Sequence, residues 1–163
     1  MILIALGGNI PSPVGPPAAT LTAALAALAR SPITIQNQSG FYASPAWPDA
    51  SDPAYVNAVA QLQTTRDPAA LLKLLHDVEA AFGRKRGTRN APRTLDLDLL
   101  DYDGRVQSGP PELPHPRMTQ RCFVLVPLKD VAPDWRHPVS GKTVSELIAE
   151  APPSEVTLLS RRA

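Results

Sequence analysis

The chain is short of several things, and each shortage excludes a class of protein. It has one cysteine, Cys122. That excludes an internal disulfide and a cysteine-built zinc site, and a reducing, cytoplasmic setting is the simplest expectation. No apolar run approaches the ~20 residues that a membrane span needs. Met1 to Leu6 is apolar but too short, with no basic residues ahead of it, to be expected to act as a signal peptide. Net charge is also missing: 16 Lys and Arg against 15 Asp and Glu leave +1 at pH 7. A globally basic nucleic-acid binder is therefore not expected. Aromatics are only 5%, so the interleaved rings of an RNA-stacking sheet are lacking and the core must be aliphatic. There is no GxxxxGK[ST] loop and no kinase glycine loop. Any ATP chemistry must use another scaffold.

What is present is a chain of 163 residues with 19 prolines, long enough to bury a core as one domain spanning residues 1–163. Met1 to Leu6 reads as a buried central strand stopping at Gly7-Gly8-Asn9. Leu21, Leu25 and Leu28 mark a helix over Ala18 to Arg30. Ile33 to Tyr42 and Tyr55 to Thr64 alternate as an antiparallel strand pair, joined by a loop carrying Pro45, Pro48 and Pro53. Asp67-Pro68 is an N-cap followed by a first-turn proline. Leu71, Leu75, Val78 and Phe82 continue that helix to Gly83. Leu95 to Tyr102 reads as a strand turned into a hairpin by Asp103-Gly104. Gln120 to Val131 reads as a short helix broken at Pro127. Thr143 to Glu146 is a capping box opening a last helix to Ala149, and Val156 to Leu159 is a last strand. This order fits an α+β, ferredoxin-like split βαβ sandwich, with helices on one face of a mainly antiparallel sheet.

The most informative stretch is Pro92-Arg-Thr-Leu-Asp-Leu-Asp-Leu-Leu100. On a strand, Asp96 and Asp98 share one face while Leu95, Leu97 and Leu99 share the other. Their Cα atoms are then about 7 Å apart, and their oxygens can converge on hard cations with phosphate oxygens completing the shells. The same alternation also suits a half-exposed strand with acids on its outer face, although aspartate is depleted in strands. The loop ahead of it is basic: Arg84, Lys85, Arg86, Arg89 and Arg93 lie within ten residues that hold no acid. Arginine matches phosphate oxygens with a planar fork. His115, Arg117 and Arg121 add a second basic group. Carboxylates, a metal and arginines together suit a bound polyphosphate.

These residues resemble the 6-hydroxymethyl-7,8-dihydropterin pyrophosphokinase family. The resemblance rests on four blocks in order. They are Ile4-Ala-Leu-Gly-Gly-Asn9; Phe41-Tyr-Ala-Ser-Pro45 with Tyr55-Val-Asn57; Glu79 through Pro92-Arg-Thr-Leu-Asp-Leu-Asp98; and Pro114-His115 through Arg121-Cys-Phe-Val-Leu-Val-Pro-Leu128. It implies a monomeric enzyme of folate biosynthesis that moves the terminal pyrophosphate of ATP to the pterin's hydroxymethyl group and releases AMP. It further implies that Asp96 and Asp98 bind two Mg2+ and that Arg84 and Arg93 meet the phosphates. By the same resemblance, Glu79, Arg86, His115 and Arg121 serve ATP, while Ser44, Pro45, Tyr55, Asn57 and Phe123 form the pterin pocket. The chain departs from the family pattern at Asn90-Ala91 and Pro116, where aromatic residues are expected. Trp47, in the pterin-side loop, is a candidate for aromatic surface. Two rival classes share some of these features. A different metal-dependent phosphate enzyme would share the aspartates but not need the aromatic and amide pocket. An RNA-binding domain would share the fold.

Overall fold

The computed structural model describes residues 1–85 and 87–161. A fully antiparallel sheet forms its middle layer. Its strands are β1 (Ile2–Gly8), β2 (Thr34–Gln38), β3 (Phe41–Ser44), β4 (Tyr55–Gln63), β5 (Asp96–Tyr102) and β6 (Thr157–Ser160). They run in the order β5-β1-β4-β3-β6, with β2 also paired to β4. The helices are α1 (Pro17–Arg30), α2 (Pro68–Ala81), α3 (Cys122–Val131) and α4 (Val144–Glu150). The strand–helix–strand, strand–helix–strand order of the ferredoxin-like split βαβ unit is thus present.

Every residue of β1 is buried, because it lies centrally and both its faces are covered. Ile2, Ile4 and Leu6 pack with Leu21, Leu28, Leu71 and Leu75 of α1 and α2. Leu3 and Ala5 pack on the other side with Leu125, Leu128 and Leu147 of α3 and α4. The sequence predicts helices on one face; the structure has a pair on each. An apolar run without alternation already carried that signal, since a strand packed on both faces has no polar side to show.

Helix ends follow the local chemistry. The Asp67 side chain accepts the Ala70 N–H at 2.8 Å, and both capping-box bonds of Thr143 and Glu146 form. Helix α3 is not broken at Pro127. It runs through, because Val124, Leu125, Leu128 and Val131 are buried on one side of it, and that packing outweighs one missing N–H donor. The Asp103-Gly104 turn forms with positive φ at both residues, as the hairpin signal requires, but among the described residues the segment after it does not pair with β5 as a strand. The chain instead enters the proline segment, where Gln107 and Leu113 exchange backbone bonds. His115 N–H then donates to Leu100 carbonyl at 2.9 Å, which ties that segment to β5.

Candidate active site

Where α3 and α4 stop covering their face of the sheet, a cleft of about 790 Å³ opens. The register explains its floor. Gly7 of β1 pairs with Asp96 on one side and Asn57 on the other, and Ala5 pairs with Asp98. Paired residues point to the same face, so Asp96 and Asn57 stand two strands apart, about 10 Å. Gly7, with no side chain, leaves the space between them open. Gly8 serves a different purpose: a Cβ there would lie 2.6 Å from the Thr94 carbonyl oxygen, so only glycine lets the two backbones meet.

That meeting is held by Asn9, a buried side chain. Its backbone N–H donates to the Arg93 carbonyl at 2.9 Å, and its Oδ1 accepts the Arg93 N–H at 2.8 Å. Its Nδ2 donates to the Pro53 carbonyl at 3.0 Å. One asparagine therefore fastens the end of the basic loop and the end of the proline loop to the same strand. A polar residue at a strand end gave no sequence signal of this double tether.

Asp96 sits between two arginines. Arg84 Nη1 donates to its Oδ1 at 2.5 Å, and Arg93 Nη1 donates to its Oδ2 at 3.0 Å. Arg84 Nη1 also meets Glu79 Oε2 at 2.8 Å. Burial alone would lower the Arg84 pKa, but the Asp96 and Glu79 charges outweigh it and raise the value. Glu79, on α2, is almost fully buried, and its Oε1 accepts the Leu97 N–H on the outer edge of β5 at 3.0 Å. Glu79, expected to serve ATP, is not among the residues that line the cleft. It stands behind Asp96, holding Arg84 and the strand. Arg84 likewise does not line the cleft, whereas Arg93 does.

Asp98 is held more loosely. Arg121 Nη1 lies 3.7 Å away and His115 Nε2 lies 3.8 Å away, both beyond hydrogen-bond distance. Burial low in the cleft, and then the neighbouring Asp96 charge, push Asp98 up to about 7 against the pull of Arg121. Burial and the Arg121 cation push His115 down to about 4, so it is neutral at pH 7. Its Nδ1 accepts the Arg117 N–H at 3.2 Å, which assigns the ring proton to Nε2, on the Asp98 side.

The raised Asp98 value has a stability consequence with a definite sign. A carboxyl whose folded pKa lies above its unfolded value stabilises the fold below about pH 4. That contribution is lost as pH rises towards 7. Asp98→Asn is therefore expected to melt higher than wild type at pH 8 without metal, by about 3 °C or more, and the gap should close at pH 4. Paired thermal melts at the two pH values check this. A lower melting temperature for the variant at pH 8 would show that Asp98 is not crowded.

On the other side of Gly7, Asn57 is buried and donates through Nδ2 to Ser44 Oγ at 2.9 Å and to the Tyr42 carbonyl at 3.3 Å. That fixes the plane of its amide. Tyr55 is half-buried, and burial raises its pKa. Phe123, at the start of α3, has the Arg121 guanidinium 5.6 Å above its ring. Ser44, Pro45, Tyr55, Asn57 and Phe123 all line the cleft that also holds Arg93, Asp96, Asp98, His115 and Arg121. Arg86 lies outside the described residues. Pro152 and Ser154 also reach the wall; they are too far along the chain for any local pattern to place them.

The donor set can be tested for a divalent cation. Among the described residues no group of three or more His, Cys, Asp or Glu could hold a metal. Two carboxylates are what Mg2+ takes when substrate phosphates and water supply the other oxygens. Burial and the neighbouring Asp96 charge raise Asp98, and a cation held there would offset both. The residues fit the group.

A sequence model of the 7,8-dihydro-6-hydroxymethylpterin-pyrophosphokinase (HPPK) family matches residues 3–133. The chain belongs to this family. Its activity is pyrophosphoryl transfer to hydroxymethyldihydropterin, in folate biosynthesis, and the family uses ATP as co-substrate. The chain is 41% identical over 150 residues to the 2-amino-4-hydroxy-6-hydroxymethyldihydropteridine pyrophosphokinase of Synechocystis, covering 91% of this chain and 74% of that protein. The protein of that name in Methylorubrum extorquens is 38% identical over 94% of both chains. The one in Pseudomonas aeruginosa is 40% identical over 93% of this chain and 91% of its own. Among solved structures, HPPK-DHPS of Plasmodium falciparum with pteroate superposes with a TM-score of 0.66 over 91% of this chain at 12% identity. The enzyme spans 42% of that longer chain, and the likeness concerns the fold.

Proposed function

We propose that this chain, as one domain and a monomer in the cytoplasm, carries out the transfer with magnesium and releases AMP. The acceptor is the hydroxymethyl oxygen of 6-hydroxymethyl-7,8-dihydropterin, and the donor is the β-phosphorus of ATP. The observation that carries this reading is the single cleft with a carboxylate pair on one side of Gly7 and a fixed amide on the other. All the described residues the reading uses come from one chain. No helix among the described residues is long and apolar enough to cross a membrane.

Asn57 presents an oriented amide to the pterin's hydrogen-bonding edge. Ser44 holds that amide, and Pro45, Tyr55 and Phe123 give apolar surface to the ring. Asp96 and Asp98 are the residues that would hold two Mg2+. Bound there, the ions would neutralise phosphate charge and lower the pKa of a coordinated hydroxyl. Arg93 lines the cleft and can turn from Asp96 to phosphate oxygens. Arg121 and neutral His115 face the nucleotide side. A smaller recess beyond Asp98 and His115, lined by Leu72, Leu99, Pro110 and Pro111, has the apolar character that suits the base. His115, pushed down to about 4, is too weak a base to keep a proton taken from an alcohol at neutral pH. The acceleration therefore rests on positioning and charge stabilisation.

The test is to identify the nucleotide product. AMP is expected to appear one-for-one with a pterin diphosphate, and only when ATP, magnesium and the pterin are all present. ADP as the product would overturn the reading of which bond breaks.

A further inference from the structure

Asp96 and Asp98 share one face of β5, yet their surroundings differ. Asp98 has Arg121 and His115 held back at 3.7 and 3.8 Å. Asp96 is claimed on both oxygens, by Arg84 on Oδ1 at 2.5 Å and by Arg93 on Oδ2 at 3.0 Å. A divalent cation also needs carboxylate oxygens, and like charges gathered on one carboxylate repel. A cation reaching Asp96 must therefore displace the arginines. Arg93 lines the cleft and has room to turn into it. Arg84 does not line the cleft, and its side chain is only 15% exposed, so it has little solvent to retreat into.

The fold supplies a second acceptor. Arg84 Nη1 also donates to Glu79 Oε2 at 2.8 Å, and the Glu79 side chain is 3% exposed. Leaving a carboxylate that deeply buried without a bonded cation is costly, whereas Asp96 gains a new cation in exchange for the one it loses. The contact is not a by-product of helix spacing. Residues five apart on an unbroken helix stand about 140° from each other and do not meet. Helix α2 instead stops at Ala81, and Gly83 takes φ +85°. That turn returns the Arg84 N–H to the Glu79 carbonyl at 3.1 Å and starts the arginine side chain beside the carboxylate. The other Glu79 oxygen, Oε1, accepts the Leu97 N–H at 3.0 Å, one residue along from Asp96. Glu79 is thus anchored to the strand that carries the carboxylate pair, without lining the cleft itself.

We infer that Glu79 is a positioning residue for the divalent cation: it keeps Arg84 when the cation takes Asp96, and so frees that carboxylate. This rests on the proposed holding of Mg2+ by Asp96 and Asp98. Glu79 acts through Arg84 and not by ligating the ion. A hydrogen bond to a charged group is worth enough to read as about a tenfold or greater change in affinity.

The experiment follows calorimetrically how binding of a non-hydrolysable ATP analogue tightens as free Mg2+ rises, and reads the Mg2+ concentration at the midpoint. Wild type, Glu79→Gln, Arg84→Gln and the double variant are compared, with thermal melts beside them. Glu79→Gln keeps an oxygen for the Leu97 N–H and removes the charge that holds Arg84. It is expected to raise the midpoint about tenfold or more, because Arg84 is then left to Asp96. Arg84→Gln should lower the midpoint, and adding Glu79→Gln to it should move the midpoint by less than about twofold. An unchanged midpoint in Glu79→Gln overturns the inference. An equal rise in both backgrounds also overturns it, since the charge at position 79 would then act on the ion directly. So does a raised midpoint in Arg84→Gln, a result that counts even if Glu79→Gln fails to fold. Analogue binding that ignores Mg2+ in wild type would remove the proposed metal site and this inference together.

Discussion

Asp98→Ala is expected to lower turnover by at least about 10³-fold while the fold survives. The size follows from what the carboxylate is asked to do. Charge stabilisation of a transferring phosphoryl group by a held cation is worth several kcal/mol, and each 1.36 kcal/mol is tenfold in rate. The survival of the fold follows from the surroundings of Asp98. Its nearest cations stand at 3.7 and 3.8 Å, so truncation strands no tightly bonded buried partner. It pairs across the sheet with Ala5, which leaves room for a methyl group. Its pKa, pushed up to about 7, shows a carboxylate kept where the free protein would be better without its charge. Asp96 is a poorer probe, because removing it would also release Arg84 and Arg93. The measurement is kcat with saturating ATP and pterin, beside circular dichroism and a thermal melt. Turnover within tenfold of wild type would remove Asp98 from the proposed metal site.

Much of this was legible before the structure. Leu97 and Leu99 face the α1–α2 core while Asp96 and Asp98 face the cleft, as strict alternation requires. The alternation then hides an irregularity. The pairing of β1 with β5 shifts between Leu3 and Ile4, so that Leu100 and Asp101 both serve the α3–α4 side. Leu100 packs there, and Asp101 receives Trp135.

A similar slip divides the strand expected over Ile33 to Tyr42. Gln38 pairs with Ala60, yet Tyr42 pairs with Asn57: four steps along one strand against three along the other. The extra residue is absorbed at Ser39-Gly40, where the Ser39 hydroxyl takes the Val59 N–H at 2.9 Å. Glycine inside a strand pattern can mark such a bulge, but Ile33, Ile35, Phe41 and Tyr42 on either side keep the β-like composition that reads as one strand. Asp96, Asp98 and Asn57 were readable as facing the cleft because strand geometry converts spacing into facing. Asn9's double tether and the Pro152–Ser154 wall were not, because they join segments far apart in the chain. Glu79 is assigned to ATP only by the family resemblance, and the structure shows what else it does. Its bond to the Leu97 N–H on the edge of β5 joins a helix to a distant strand, so no local pattern shows it.

Arg93→Ala should reduce kcat by about 10²-fold or more and raise the Kd for ATP by less than about fivefold. In the free protein Arg93 is spent on Asp96 Oδ2 at 3.0 Å, so it is not an idle phosphate anchor waiting for ATP. A guanidinium already paired gains little by exchanging one anion for another in the ground state. Its value rises only when negative charge builds on the bridging and leaving oxygens during transfer, and interactions that strengthen there act on kcat. Its backbone stays in place without the side chain. The two bonds to Asn9 use only the N–H and carbonyl of residue 93, and alanine keeps both. Asp96 keeps Arg84 as well, so the carboxylate is not left alone. Arg93→Lys separates charge from geometry: a point charge restores part of the rate, whereas the planar fork that can face two oxygens at once is lost. Rapid-quench turnover and equilibrium binding of an ATP analogue give the two numbers. If Arg93→Ala weakens ATP binding as much as it slows transfer, Arg93 is a binding residue with no special part in the transition state. If both are unchanged, the cleft-lining position of Arg93 has no bearing on the phosphates.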